Sequence, residues 1–155
     1  MNTNFINFLK SNNLDIKIHD FDEFTHTAIQ AATALNCDVS QIAKSLIFKS
    51  TSGKPILVIA SGSNRVDESK IANLLGENIG KADADFVKTF TSYTIGGVPP
   101  FSFPNKIITF IDQDLLKYNS VWAAAGSNNS VFSLTPDNLI KLSSGKVSDI
   151  KLSTI

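Results

Sequence analysis

Cysteine is almost absent. Cys37 stands alone in a chain of 155 residues, so no internal disulfide can form and a disulfide-stapled scaffold is excluded. Histidine is nearly as scarce: His19 and His26 are the only two, and no Cys-x2-Cys or His-x3-His pair offers zinc-ligand spacing. Arg65 is the only arginine, which argues against bidentate readout of guanine and for looser lysine contacts to phosphate. Fourteen basic side chains balance fourteen acidic ones, so any nucleic-acid partner must be met by a local basic patch. No apolar run approaches the roughly 20 residues that span a bilayer, and Met1 to Phe5 lack the basic start of a secretion signal. A cytoplasmic protein without membrane contact is expected. The Gly-x-Ser-x-Gly elbow and the Gly-x4-Gly-Lys phosphate loop are missing as well.

What is present is an ordinary globular composition, 43% hydrophobic and 18% charged, in a length that makes one domain over residues 1–155. Thr3 is placed to cap a first helix with Phe5, Phe8 and Leu9 on one face. Ile16 and Ile18 alternate with Lys17 and His19 as in a half-buried strand. Thr27 and Gln30 form a capping-box pattern ahead of a helix from Ala28 to Leu35. Two strands follow, Lys44–Lys49 and Pro55–Ala60, joined as a hairpin through Ser52-Gly53. Asp67 caps a helix carrying Ile71, Leu74 and Leu75 up to Gly76; Asp83 caps another with Phe86, Val87 and Phe90 facing inward. Strands are expected at Ile107–Ile111, Val121–Ala125 and Ser130–Leu134, a short helix at Asp112–Leu116, and a helix start at Thr135-Pro136. Hairpins mixed with single helices favour an α+β fold: a mixed, largely antiparallel, barrel-like sheet with helices packed outside.

Cys37 follows a helix at a core-lining position, and a small buried hydrophobe is preferred there over a nucleophile. Two features admit more than a structural role. Lys44, at the mouth of an apolar strand, either snorkels to solvent or serves as a positioned cation for a phosphate or an ester carbonyl. The segment Gly96-Gly97-Val98-Pro99-Pro100 is either a tight connection or a loop whose backbone N–H groups approach a ligand. An enzyme built on these residues has water or part of its substrate as the attacking group.

These residues carry a resemblance. Gln41-Ile42-Ala43-Lys44-Ser45-Leu46-Ile47-Phe48 resembles the lysine strand of the YbaK/prolyl-tRNA editing family, and Val66-Asp67 leading into Lys70 to Gly76 is similar to its next helix. Gly96-x-x-x-Pro100 matches its Gly-x-x-x-Pro loop, and Ile111-Asp112, Val121 to Gly126 and Val131 to Leu139 follow in the family's order. The likeness covers residues 5 to 142.

The resemblance implies a stand-alone deacylase that hydrolyses the ester of mischarged tRNA, chiefly tRNA(Pro) carrying alanine, cysteine or another small amino acid. It implies no cofactor and no metal, with the tRNA acceptor end as partner and prolyl-tRNA synthetase as a possible second one. Lys44, Gly96, Gly97 and Pro100 are the implied catalytic positions. Ser45, Val98, Pro99, Gly126, Ser127 and Asn128 are the implied substrate-binding ones, although Ser45 could equally be strand filling. The sequence departs from the family twice: some members carry a histidine at or near Asn128, and many follow the loop proline with glycine where this chain reads Phe101-Ser102-Phe103. The second change is expected to reshape the pocket wall. The alternative reading is a family fold that has lost catalysis and binds tRNA or a synthetase.

Overall fold

Helix ends carry most of the local specification. In the computed structural model, which describes residues 2–22 and 27–153, Thr27 Oγ1 accepts from the Gln30 N–H while the Gln30 side chain accepts from the Thr27 N–H. This reciprocal box opens α2 (Ala28–Leu35). Asp67 caps α3 (Glu68–Leu75), and Gly76 ends it at φ 88°, a left-handed position that suits glycine. Asp83 caps α4 (Ala84–Thr91), and Thr135 caps α5 (Pro136–Ser143) with proline in its first turn. Helix α1 (Thr3–Ser11) departs from expectation by one residue: Asn2 rather than Thr3 is the cap, its Oδ1 accepting from the Phe5 N–H at 3.2 Å.

The inward faces of two helices are narrower than their sequences suggest. In α4, Val87 and Thr91 are buried, but Phe90 is 37% exposed. Phe86 and Phe90, one turn apart, pack on each other with tilted rings 4.6 Å apart along the helix flank instead of both entering the core. In α3, Ile71 is fully buried whereas Leu74 is exposed.

Among the described residues eight strands form one mixed sheet: β1 (Ile18–Asp20), β2 (Ile42–Ser50), β3 (Pro55–Ser61), β4 (Ile79–Lys81), β5 (Ile108–Asp112), β6 (Val121–Ala124), β7 (Ser130–Leu134) and β8 (Lys146–Ser148). Their order is β1-β7-β6-β2-β3-β5-β8, with β4 also on β2. Four pairings are antiparallel (β1 with β7, β2 with β3, β2 with β4, β6 with β7), and three are parallel (β2 with β6, β3 with β5, β5 with β8). The first strand begins two residues later than its alternation suggests, because pairing of Ile18 with Phe132 and Asp20 with Ser130 sets its limits. Strands β4 and β8, three residues each, have too little pattern to be read from sequence.

Strand β3 is apolar from Pro55 to Ala60 because both its faces are covered. Leu57 and Ile59 enter the main core with Phe5, Ile111, Leu115 and Phe132. Ile56, Val58 and Ala60 face a second cluster with Ile71 and Phe110. Helix α1 closes the main core through Phe5, whose ring lies 5.1 Å from that of Phe132 and 5.7 Å from that of Phe101.

Strand β2 positions the site. One of its sides pairs with β3 from Ala43 to Lys49. The other side meets β6 only at Ile42 and Ala43, and β4 only from Phe48 to Ser50. Between these two short neighbours the sheet is split.

Candidate functional site

A cavity of about 640 Å³ occupies the neighbourhood of this split, a volume suited to a small ligand or the end of a larger one. Its walls come from β2, the first turns of α2, the loop after α4, and the β6–β7 turn. Among the described residues the lining contains Lys44 and Lys81 as its charged groups, with no carboxylate, histidine or cysteine.

Lys44 is half-buried and forms no hydrogen bond or ion pair with any described residue. Its ammonium is held below the ordinary lysine range, first by burial and then by the nearby charge of Arg65, with Asp112 pulling the other way. The register explains Asp112: Lys44 pairs with Ala60, and Ile59 pairs with Ile111, so Lys44, Ala60 and Asp112 lie in one row on the same sheet face. Asp112 is 1% exposed. Its Oδ2 accepts from the Ser61 N–H at 3.0 Å and Asn64 Nδ2 at 2.8 Å, and its Oδ1 from the Asp114 N–H at 2.9 Å. A buried carboxylate thus stands behind the cavity lysine without pairing to it.

The glycine-proline loop approaches from the opposite chain segment. Gly96 and Val98 line the cavity with Lys44. Gly96 has φ 91°, the left-handed region, and the loop is closed by the Gly97 N–H donating to Thr94 C=O at 3.0 Å. Its base is anchored by buried Tyr93, whose hydroxyl lies 2.9 Å from Ser102 Oγ.

Ser127 and Asn128 of the β6–β7 turn, and Ser45 of β2, also line the cavity. The Ser127 hydroxyl lies 2.8 Å from Asn129 Oδ1 and 2.9 Å from Ser130 Oγ, which donates onward to Asp20 Oδ1 at 2.7 Å. Ser45 Oγ differs: it is buried and has no hydrogen-bond partner among the described residues.

The structure therefore brings Lys44, Ser45, Gly96, Val98, Ser127 and Asn128 to one cavity. It does not bring Gly97, Pro99, Pro100 or Gly126 to the lining. Gly97, Pro99 and Pro100 are buried behind the loop. A Cβ on Gly97 would lie 2.8 Å from the Ser127 Cα, and one on Gly126 would lie 2.6 Å from the Asn2 Cβ. Both glycines permit close backbone packing around the cavity.

A family scan matches the aminoacyl-tRNA editing domain over residues 22–142. The chain belongs to the aminoacyl-tRNA editing domain family. It is 32% identical over 135 residues to the uncharacterized protein YwhH of Bacillus subtilis (strain 168), covering 87% of this chain and 86% of that protein. It is 30% identical over 95 residues to the proline–tRNA ligase of Limosilactobacillus fermentum, covering 58% of this chain but 17% of the ligase. Among solved structures, a candidate trans-editing enzyme for prolyl tRNA synthetase superposes with TM-score 0.91 at 33% identity, over 99% of each chain.

Within this editing-domain fold one reading of the sequence needs correction. Phe101, which follows the loop proline, does not reshape the cavity wall: it is 2% exposed and packs against Phe5, Phe8 and Phe132 in the core. Lys70, on the helix that resembles the family's, pairs with Asp149 at 2.9 Å and donates to Lys151 C=O at 2.7 Å. Cys37 is half-buried beside Ala31, Ala32 and Ile42, and burial, then Asp38, pushes its thiol above the ordinary range, away from a reactive thiolate. His26 lies outside the described residues. No described helix is long and apolar enough to cross a membrane.

Sequence reasoning missed several cavity residues of the editing domain. Lys81 stands in the three-residue β4, and Ile29 and Ile95, 67% and 58% exposed, form an apolar rim. Asp112 carried a visible signal, an aspartate ending an apolar strand, but its role as acceptor for three N–H groups depends on Ser61 and Asn64, about fifty residues away.

The Gly97 geometry gives a direct expectation. Gly97→Ala should destabilise by about 1–3 kcal/mol, the cost of forcing a methyl into a filled space, and displace the Ser127 turn. Thermal melts and the shifts of the Ser127 and Asn128 amides check this. An unchanged melt with unchanged turn signals would show that the loop yields instead.

Proposed function

We propose that this chain is a stand-alone deacylase that hydrolyses the ester of mischarged tRNA, with tRNA(Pro) carrying alanine, cysteine or another small amino acid as the preferred substrate class. The observation that carries the reading is a half-buried lysine without a carboxylate partner among the described residues, lining the same cavity as Gly96 and Val98. The editing-domain family and the likeness to a candidate trans-editing enzyme support it.

Hydrolysis of an aminoacyl ester adds a water oxygen to the acyl carbon and releases the ribose hydroxyl, with negative charge developing on the acyl oxygen. Lys44 supplies positive charge for that oxygen or for the neighbouring phosphate, and the loop positions the ester. A second sieve of this kind is needed because a synthetase pocket built for proline cannot strongly reject smaller amino acids by binding alone.

Deacylation of a panel of tRNAs charged with alanine, cysteine, serine, threonine and proline tests the proposal. Faster release of a small amino acid from tRNA(Pro), with correctly charged prolyl-tRNA spared, is expected. Release of none above the spontaneous rate would overturn it in favour of a binding module. Binding should also weaken with salt only gently. If Lys44 and Lys81 supply the phosphate contacts, log K should fall against log salt with a slope of about −2 or shallower, following ~0.7–0.9 per neutralised phosphate. A steep slope would place the tRNA on a different and more basic surface.

A further inference from the structure

The split beside β2 leaves backbone groups without partners, and their pattern is set by the ladder. In an antiparallel pair alternate residues turn both N–H and C=O toward the partner strand. The Gly62 N–H donates to Ile42 C=O at 2.8 Å, and the Ser50 N–H donates to Lys54 C=O at 2.9 Å. With Lys44 opposite Ala60 and Leu46 opposite Val58, the even-numbered residues of β2 face β3 and the odd-numbered ones face the other side. The Thr51 N–H, donating to Asn78 C=O at 2.9 Å on that other side, agrees.

On the outward side Ala43 is used by β6 and Lys49 by β4. The β6 ladder stops at Ala43 with Ala123, and the β4 ladder starts at Phe48 with Lys81. The Phe48–Lys81 pairing engages the Ile47 C=O but not its N–H. The Ser45 N–H and C=O and the Ile47 N–H are therefore left facing the gap, and no other backbone or side-chain bond among the described residues takes them up. Ser45 Oγ, buried without a partner, is a further unused polar atom on the same residue. Ser45 and Ile47 both line the cavity. Three unused main-chain groups and one hydroxyl at a cavity wall form a site for a ligand with its own backbone-like donors and acceptors.

An aminoacyl group has that chemistry: an amine donor and a carbonyl acceptor on adjacent carbons, as in one residue of a strand. We propose that the free edge of β2 reads the aminoacyl end of the substrate as a one-residue continuation of the parallel β6 ladder. The α-amine donates to Ser45 C=O, and the acyl oxygen accepts from the Ile47 N–H. The inference rests on the deacylase reading for its ligand. It adds that recognition of the free α-amine is made by main chain, so acyl esters lacking that amine are poor ligands. Backbone placement also leaves the amino-acid side chain unread at these positions, and selection among side chains falls to other walls.

The probes are 3′-deoxy-3′-(L-alanylamino)adenosine, whose amide is not hydrolysed, and the matching 3′-propionylamino compound, which lacks only the α-amine. In the free protein the Ile47 amide proton should exchange at least about tenfold faster than those of Lys44 and Leu46, which are bonded to β3. Bound alanyl compound should slow Ile47 exchange by about tenfold or more. Deleting the amine should weaken binding roughly ten- to a hundredfold, as for a lost hydrogen bond to a charged group. Equal affinity of the two compounds, or binding with Ile47 exchange unchanged, overturns the inference and leaves the deacylase reading standing. So does failure of the alanyl compound to bind at millimolar concentration to a protein that deacylates mischarged tRNA. Failure to bind in a protein that also releases no amino acid from any tRNA overturns both.

Discussion

Lys44→Met is expected to lower turnover of mischarged tRNA roughly 30- to 1000-fold, equivalent to about 2 to 4 kcal/mol of barrier, with the fold intact. Methionine keeps an apolar stem and removes only the charge. The loss should fall on turnover more than on substrate binding if the ammonium acts on charge that develops during the reaction. The melt should be unchanged or slightly raised, because the substitution removes a half-buried cation held near Arg65. Near-wild-type hydrolysis by a well-folded Lys44→Met protein would take the charge out of the mechanism.

The depressed titration of Lys44 gives this prediction a pH signature. If the ammonium is the active form, turnover falls as pH rises through its lowered pKa, earlier than an ordinary lysine near 10.5 would allow. Stability moves the other way. Between the lowered folded value and the ordinary unfolded one, the unfolded chain binds more protons, so stability rises with pH across that window. Lys44→Met should abolish this contribution to both profiles. A wild-type rate that stays flat through the alkaline range, after subtraction of spontaneous hydrolysis, would mean that the charge is not required.

Asp112→Ala is expected to cost about 3 kcal/mol or more, because the Ser61 and Asp114 N–H groups and Asn64 Nδ2 would lose an ionised acceptor at a buried position. For a domain of this size that lowers the melting temperature by roughly 6–12 °C. Asp112→Asn should be intermediate, since its amide can accept through one oxygen while its NH2 group faces donors. The substitution also bears on Lys44. Asp112 pulls the lysine titration upward, so its loss should shift the alkaline limb of the rate profile to lower pH. A small change in the melt would show that water replaces the carboxylate. An unmoved limb would show that Asp112 serves the Ser61–Asn64 turn alone.

Local chemistry determined much of the fold. The Thr27–Gln30 box, the aspartate caps of α3 and α4, the Gly76 stop and the Thr135-Pro136 start each act within four residues, so their side chains meet their backbone partners whatever the rest of the chain does. The β2–β3 hairpin is equally local, with Ser52-Gly53 between two apolar runs. Lys44 and the glycine-proline loop stood out for a related reason: a cation in an apolar strand and two adjacent glycines before two prolines break the local pattern.

Tertiary structure decided the rest. Nothing near Lys44 in sequence signals that Asp112 lies in its row two strands away, because that register is fixed by the buried faces of β3 and β5. The destination of Phe101 and the packing of Phe86 on Phe90 depend on which neighbours fill the core. The contact of Gly97 with Ser127 likewise joins two loops about thirty residues apart. Most of all, the free edge of Ser45 and Ile47 exists only because β6 ends and β4 begins where they do. Strand propensity records that a segment is extended. Which of its hydrogen-bonding groups find partners depends on the lengths of strands remote in the chain, and the split that holds the cavity is a property of that pairing alone.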